Sequence, residues 1–146
     1  MCTLARVLVI DDEPDVLLLC RVNLEHAGHQ VLVALDGEAG IALARAEHPD
    51  VIVLDIMLPQ MDGYDVLEGL AGHKETREVP VLLLSAKARR EDKLRGLRAG
   101  AIRYVTKPFT PATLAADVQL LDTMSPDERR SRRAEALRDL IGEGAA

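Results

Sequence analysis

VIVLDIMLPQMDG, residues 51–63, decides the fold of this chain. Its first four residues form an unbroken aliphatic run, the composition of a strand buried on both faces. Asp55 ends the run, Pro59 breaks the backbone pattern, and the Asp62–Gly63 pair marks a turn before a short helix over 64–70. A strand that is apolar throughout must be covered on both sides, and the economical way to do so is a parallel sheet between two layers of helices.

The same unit recurs in both directions from this stretch. Strand-like runs at 6–10, 31–35, 81–84 and 103–106 alternate with helical patterns at 14–28, 38–47, 91–99 and 111–122. Pro14 is placed for a helix start and Gly28 for its stop, and Val16, Leu17, Cys20 and Leu24 share one helical face. In the next helix Ala39, Ile41, Ala42, Leu43 and Ala46 are expected to supply the buried side. The run at 103–106 is the more polar one, which suits an edge strand. Strict alternation predicts an α/β fold with right-handed crossovers, the strands at 51–54 and 81–84 lying centrally beside the first.

Length and composition bound the function. A chain of 146 residues suits one domain with its own core. Aromatic residues make up 2%, so the core is aliphatic and there is no stacking platform for single-stranded nucleic acid. The net charge of −6 argues against a general binder of phosphate backbones. Cys2 and Cys20 have no metal-ligand spacing, and Cys20 reads as a core thiol. No apolar stretch is long enough for a bilayer, and the start lacks the basic region of a signal peptide, so the expected location is the cytoplasm, away from membranes. The tail, 123–146, is charged. Ser125, Pro126 and Glu128 form a helix-start pattern, Ala134, Leu137 and Ile141 a thin apolar stripe, and Gly142 and Gly144 a stop.

The chemistry lies at the strand ends. Parallel strands in an open sheet direct their carboxyl ends into one crevice, where ligands bind. That rule gathers Asp11 and Asp12, Asp55, Ser85 and Lys107 at one site. Three converging carboxylates repel one another unless a cation joins them, and hard oxygen donors suit Mg²⁺. An ammonium from Lys107 can pair with Asp55 and then with an anionic group attached to it. Asp12 is also in place to cap the helix that starts near Pro14.

With these residues in hand, Asp11-Asp12, VIVLDIMLPQMDGYDVL, VLLLSAK and GAIRYVTKPF together resemble the receiver domain of two-component response regulators, over residues 4–122. The resemblance implies a flavodoxin-like, doubly wound sheet of five parallel strands in the order 2-1-3-4-5, with five helices and a C-terminal helical extension over 123–146. It implies Asp55 as phosphoacceptor, Asp11, Asp12 and the Met57 backbone carbonyl as partners of Asp55 in holding Mg²⁺, and catalytic roles for Ser85 and Lys107. Ser85 and Tyr104 become switch residues, and Met57 and Lys87 tune loss of the phosphoryl group. Lys107 is followed by Pro108, which the family often carries in cis. The implied donor is a sensor histidine kinase or phosphotransfer protein, and the implied output is a switched surface around the fourth helix, fifth strand and fifth helix that binds a downstream protein. The implied enzymology is limited to the chain's own phosphorylation and dephosphorylation.

Where DNA-binding relatives carry acidic residues before the switch Tyr and an Arg on the fifth helix, this chain has Ile102, Arg103 and Asp117. The exchanged charges raise a phosphorylation-dependent homodimer in which Arg103 meets Asp117 of a second copy, on a face that also bears Lys93. Three other readings compete. The chain is the N-terminal receiver of a larger DNA-binding or enzymatic regulator. Or it is a metal-dependent aspartyl phosphatase, although Met57 stands where such enzymes place a general acid. Or it binds DNA through Arg129, Arg130, Arg132 and Arg133, although one short helix of mixed charge is a poor groove reader.

Overall fold

A computed structural model describes residues 5–87 and 89–143. Strands β1 (Arg6–Ile10), β2 (Gln30–Ala34), β3 (Val51–Asp55), β4 (Val81–Ser85) and β5 (Arg103–Thr106) alternate with helices α1 (Pro14–His26), α2 (Gly37–Glu47), α3 (Gly63–Ala71), α4 (Arg90–Arg98) and α5 (Pro111–Thr123). A sixth helix, α6 (Pro126–Glu143), follows. The sheet is parallel with the order β2-β1-β3-β4-β5, so the polar strand β5 is an edge, as its composition requires. This is the doubly wound, flavodoxin-like architecture that the sequence led us to expect.

Every residue of β3 and β4 is buried. Alternate side chains enter two separate cores, one on each face of the sheet. Val7, Val9, Val53, Leu82 and Leu84 meet Leu17, Cys20 and Leu24 of α1 and Leu114, Val118 and Leu121 of α5. Leu8, Ile10, Ile52, Leu54 and Leu83 meet α2 and α3 on the other side, with Val66, Leu67 and Leu70 at the centre of that layer. Each fully buried aliphatic side chain contributes about 1.5–3 kcal/mol, which makes the strand–helix sandwich, not local propensity, the source of order.

The structure corrects several local expectations. β2 starts and ends one residue early, because Arg6 pairs with Gln30 in register. Residue Glu13, not Asp12, precedes α1 as its cap; Asp12 makes no cap bond, and the Asp11 carboxylate accepts the Glu13 amide at 2.9 Å instead. In α2 the buried stripe is Gly37, Gly40 and Ala44, while Ala39, Ala42 and Ala46 are exposed. The reason is steric: a Cβ at Gly40 would lie 2.5 Å from Ile10 Cδ1, so this helix approaches the sheet through its glycines.

α6 begins with the expected capping box, the Glu128 amide donating to Ser125 Oγ and the Ser125 amide to Glu128 Oε1. It then runs through Gly142, which helix packing tolerates at the exposed end. Ala134 and Leu137 are half-buried, but Ile141 is 50% exposed; Ala136 and Leu140 complete the inner side in its place. Cys2, Gly144 and the expected domain start at residue 4 lie outside the described residues. Among the described residues no helix is long and apolar enough to cross a membrane.

Candidate phosphoacceptor site

Strand register builds the site. Ile10 pairs with Leu54, so Asp11 stands level with Asp55. Asp55 pairs with Leu84 and Ser85 with Thr106, which brings Ser85 and then Lys107 to the same edge. The Lys107 amide donates to the Ser85 carbonyl at 2.7 Å, and the Lys107–Pro108 peptide is cis. Asp11, Asp55 and Ser85 are at most 3% exposed, whereas Asp12 is open to solvent.

The Lys107 ammonium lies 3.2 Å from Asp11 Oδ2 and 3.3 Å from Asp55 Oδ2. It also reaches Glu13 Oε1 at 3.3 Å. The other Asp55 oxygen, Oδ1, accepts the Met57 amide at 3.2 Å. Asp11, Asp12 and Asp55 each offer a carboxylate oxygen within 4.8 Å of the other two. Three carboxylates against one ammonium leave a net excess of two negative charges in a cleft whose Asp11 and Asp55 are buried and whose Asp12 meets solvent, before Glu13 is counted. Burial, followed by the neighbouring Asp11, pushes the Asp55 carboxyl above its ordinary value, with Lys107 pulling the other way. For Lys107, burial favours the neutral amine, but Asp55 and Asp11 outweigh it and hold the ammonium above its ordinary value.

Gly63 shapes the floor. Its amide donates to the Ile56 carbonyl at 2.7 Å, and a Cβ there would lie 2.7 Å from Ile56 Cα and 2.8 Å from the Asp55 carbonyl oxygen. Only glycine allows α3, capped reciprocally by Asp62 and Asp65, to start this close to the strand end.

A second constellation runs from the site to the surface. Ser85 Oγ accepts the Lys87 amide at 3.1 Å, and the Tyr104 hydroxyl donates to the Lys87 carbonyl at 2.7 Å. The backbone of Lys87, through its amide and its carbonyl, thus joins the two expected switch residues, while the Lys87 and Met57 side chains are exposed at the cleft mouth. Burial pushes the Tyr104 phenol up to about 12, so it stays a donor at all ordinary pH. Arg103 and Asp117, which the sequence offers either as a pair across two copies or as two solvated charges, pair within one chain at 3.5 Å.

Two participants were absent from the sequence reading. Glu13 extends the acidic pair, and its position directly after Asp12 was the available signal. Tyr64 packs under the Arg95 guanidinium at 3.9 Å and donates to the Asp92 carbonyl at 3.3 Å, tying α3 to α4. Nothing in the spacing of Tyr64 and Arg95 announces that contact.

The sequence model of the response regulator receiver domain matches residues 7–119. Protein PilH of Pseudomonas aeruginosa is 41% identical over 111 residues, which cover 76% of this chain and 92% of PilH. The alkaline phosphatase synthesis transcriptional regulatory protein PhoP of Bacillus subtilis is 43% identical over 116 residues, 80% of this chain but 48% of PhoP. The chain thus spans about half the length of the transcriptional regulators it resembles. Among solved structures, a putative response regulator from Chloroflexus aurantiacus superposes with a TM-score of 0.78 at 31% identity, covering 82% of this chain and 98% of that one. The chemotaxis protein CheY4 of Vibrio cholerae gives 0.76 at 31% identity, covering 80% and 98%.

Proposed function

The chain belongs to the response regulator receiver domain family, and from that premise we propose that Asp55 is its phosphoacceptor and that phosphorylation switches the α4–β5–α5 face for a protein partner. One observation carries the reading: the Lys107 ammonium is within 3.3 Å of both buried carboxylates, Asp55 and Asp11. The donor is a phosphohistidine on a sensor kinase or phosphotransfer protein. Asp55 Oδ2 attacks phosphorus, an O–P bond forms as the P–N bond breaks, and the electron pair leaves with the imidazole. The Met57 amide holds Asp55 Oδ1, which aims the second oxygen into the cleft. Lys107 moves its charge from the carboxylates to the oxygens of the incoming group. Ser85 supplies a hydroxyl to the same oxygens and in doing so gives up its bond from the Lys87 amide.

Asp11, Asp12 and Asp55 fit a divalent cation, since they are hard oxygen donors with an excess of negative charge that Lys107 alone leaves uncompensated. The Met57 carbonyl is a fourth donor by family likeness. Mg²⁺ bound there supplies charge neutralisation on the transferring phosphoryl group.

The phosphatase reading needs a general acid two residues after the nucleophile. Met57 stands there, and only its backbone amide reaches Asp55. A homodimer on the output face must compete with the Arg103–Asp117 pair inside each chain. Exposure of the protein to acetyl phosphate, with and without Mg²⁺, tests the assignment by intact mass. We expect one acid-stable, base-labile phosphate on the wild type that requires Mg²⁺ and is missing from Asp55→Asn. An equal adduct on Asp55→Asn overturns it.

A further inference from the structure

Helix α6 is anchored at its base and lies over part of the face proposed to be switched. Besides the capping box, the Arg129 guanidinium donates to the Leu121 carbonyl at 3.0 and 3.2 Å and to the Glu78 carbonyl at 3.4 Å. Arg130 adds an ion pair to Glu78 at 3.9 Å. From this anchor α6 runs against α4, and a groove of about 400 Å³ separates it from α4 and β5. Leu97, Ile102 and Tyr104 line the groove from the domain, Ala136 and Leu140 from α6. Its charges are complementary in the main: Lys93 and Arg103 come from the domain, and α6 sets two carboxylates, Glu135 and Asp139, beside one cation, Arg132.

We infer that α6 is an intramolecular occupant of the α4–β5 surface, docked while Asp55 is unmodified and loosened when Asp55 is phosphorylated. The inference rests on the phosphoacceptor role proposed for Asp55. Its link is Tyr104. The ring borders the groove and lies against Gly96 of α4, where a Cβ would be 3.2 Å from the ring. Its hydroxyl is held by the Lys87 carbonyl, and the amide of that same residue is held by Ser85 Oγ. When Ser85 turns to a phosphoryl group, one end of this bridge is released and the tyrosine ring is free to change the floor beneath α6.

The docking is suited to such control because it is weak. α6 is mostly charged, its inner side chains are only half-buried, and a helix of its length is marginal in water without a partner. Once uncovered, the surface accepts an amphipathic helix with an acidic flank like that of α6, and this defines the chemistry of the downstream partner.

Coupling between two sites is reciprocal, so undocking α6 must favour phosphorylation as much as phosphorylation favours undocking. Leu140→Asp, which puts a charge into the groove, is compared in the full chain with wild type and with Ile141→Asp, whose position is exposed and does not line the groove. Acetyl phosphate loading with Mg²⁺ is followed by intact mass, at equilibrium and in time, and amide hydrogen exchange by peptide. We expect the loading constant of Leu140→Asp to rise about tenfold, that of Ile141→Asp to stay at the wild-type value, and wild-type α6 amides to exchange faster once Asp55 is loaded. Equal loading of all three proteins, with α6 exchange unchanged by phosphorylation, overturns the inference and leaves Asp55 as the phosphoacceptor. Failure of all three to take up phosphate overturns the Asp55 reading, and the inference falls with it.

Discussion

The Tyr104 hydroxyl donates to the carbonyl oxygen of Lys87 at 2.7 Å, across 17 residues of chain. The same Lys87 offers its amide to Ser85 Oγ, so the backbone of a single residue is shared between the acidic cleft and the outer face. Replacing Tyr104 by Phe removes this bond and keeps the ring beside Gly96. The expected loss is no more than about 1 kcal/mol, since the carbonyl it frees can turn to water. Tyr104→Ala also removes the ring from its place against α4 and should lose about 2 kcal/mol or more. Urea unfolding followed by circular dichroism separates the two.

The two adjacent aspartates should behave differently. Asp11 is buried, accepts the Glu13 amide and pairs with Lys107, so Asp11→Ala without Mg²⁺ should destabilise by about 1–3 kcal/mol. Asp12 is exposed and adds only repulsion to the cluster, so Asp12→Ala under the same conditions should be neutral or slightly stabilising. Both should bind Mg²⁺ about 10–100-fold more weakly than wild type by calorimetric titration. Unchanged Mg²⁺ affinity in both variants would remove the pair from the metal site.

Lys107 carries a pH signature. Its folded value is raised above the ordinary one, so the folded chain holds a proton that the unfolded chain releases. The stability this contributes is complete below about pH 10.5 and is lost as the pH rises through the higher folded value. Lys107→Met should lack that alkaline component. At neutral pH it should lose about 3 kcal/mol, because Asp11 and Asp55 then stand buried without a counter-charge. Urea unfolding across neutral to alkaline pH, in buffer free of divalent ions, measures both effects.

Gly63→Ala tests the close approach beneath Asp55. The added methyl meets backbone atoms, Ile56 Cα at 2.7 Å and the Asp55 carbonyl at 2.8 Å, and no side chain can yield to make room. We expect a loss of about 1–3 kcal/mol and slower loading of Asp55 by acetyl phosphate, as the start of α3 is pushed off the strand end. Wild-type stability with an intact crystal structure around Asp55 would contradict this.

Much of the site was legible because its parts are local. An aliphatic run followed by Asp55, another by Ser85 and a third by the Asp11–Asp12 pair are patterns of neighbouring residues, and parallel strands must point those ends the same way. The glycine face of α2 was not legible, since alanines read as the better core formers until Ile10 is seen to fill the space a Cβ needs. The end of α6 was misjudged for a related reason: a helical period does not say which residue within it meets a neighbour, and Leu140, not Ile141, lines the groove against α4 and β5.

The sequence by itself determined the element order, the edge position of β5, the cap of α6 and the set of polar residues that close each strand. Hydrophobic periodicity and turn chemistry act over a few residues, so they survive the loss of all tertiary information. Only the tertiary structure decided that Lys107 divides its charge among Asp55, Asp11 and Glu13, that Arg103 meets Asp117 of its own chain, that Tyr64 and Arg95 join α3 to α4, and that α6 covers the face beside Tyr104. Each of these depends on distances of 3–4 Å between residues that strand register and helix packing bring together. Side chains with several partners of similar charge in reach are assigned by that geometry, and no local pattern encodes it.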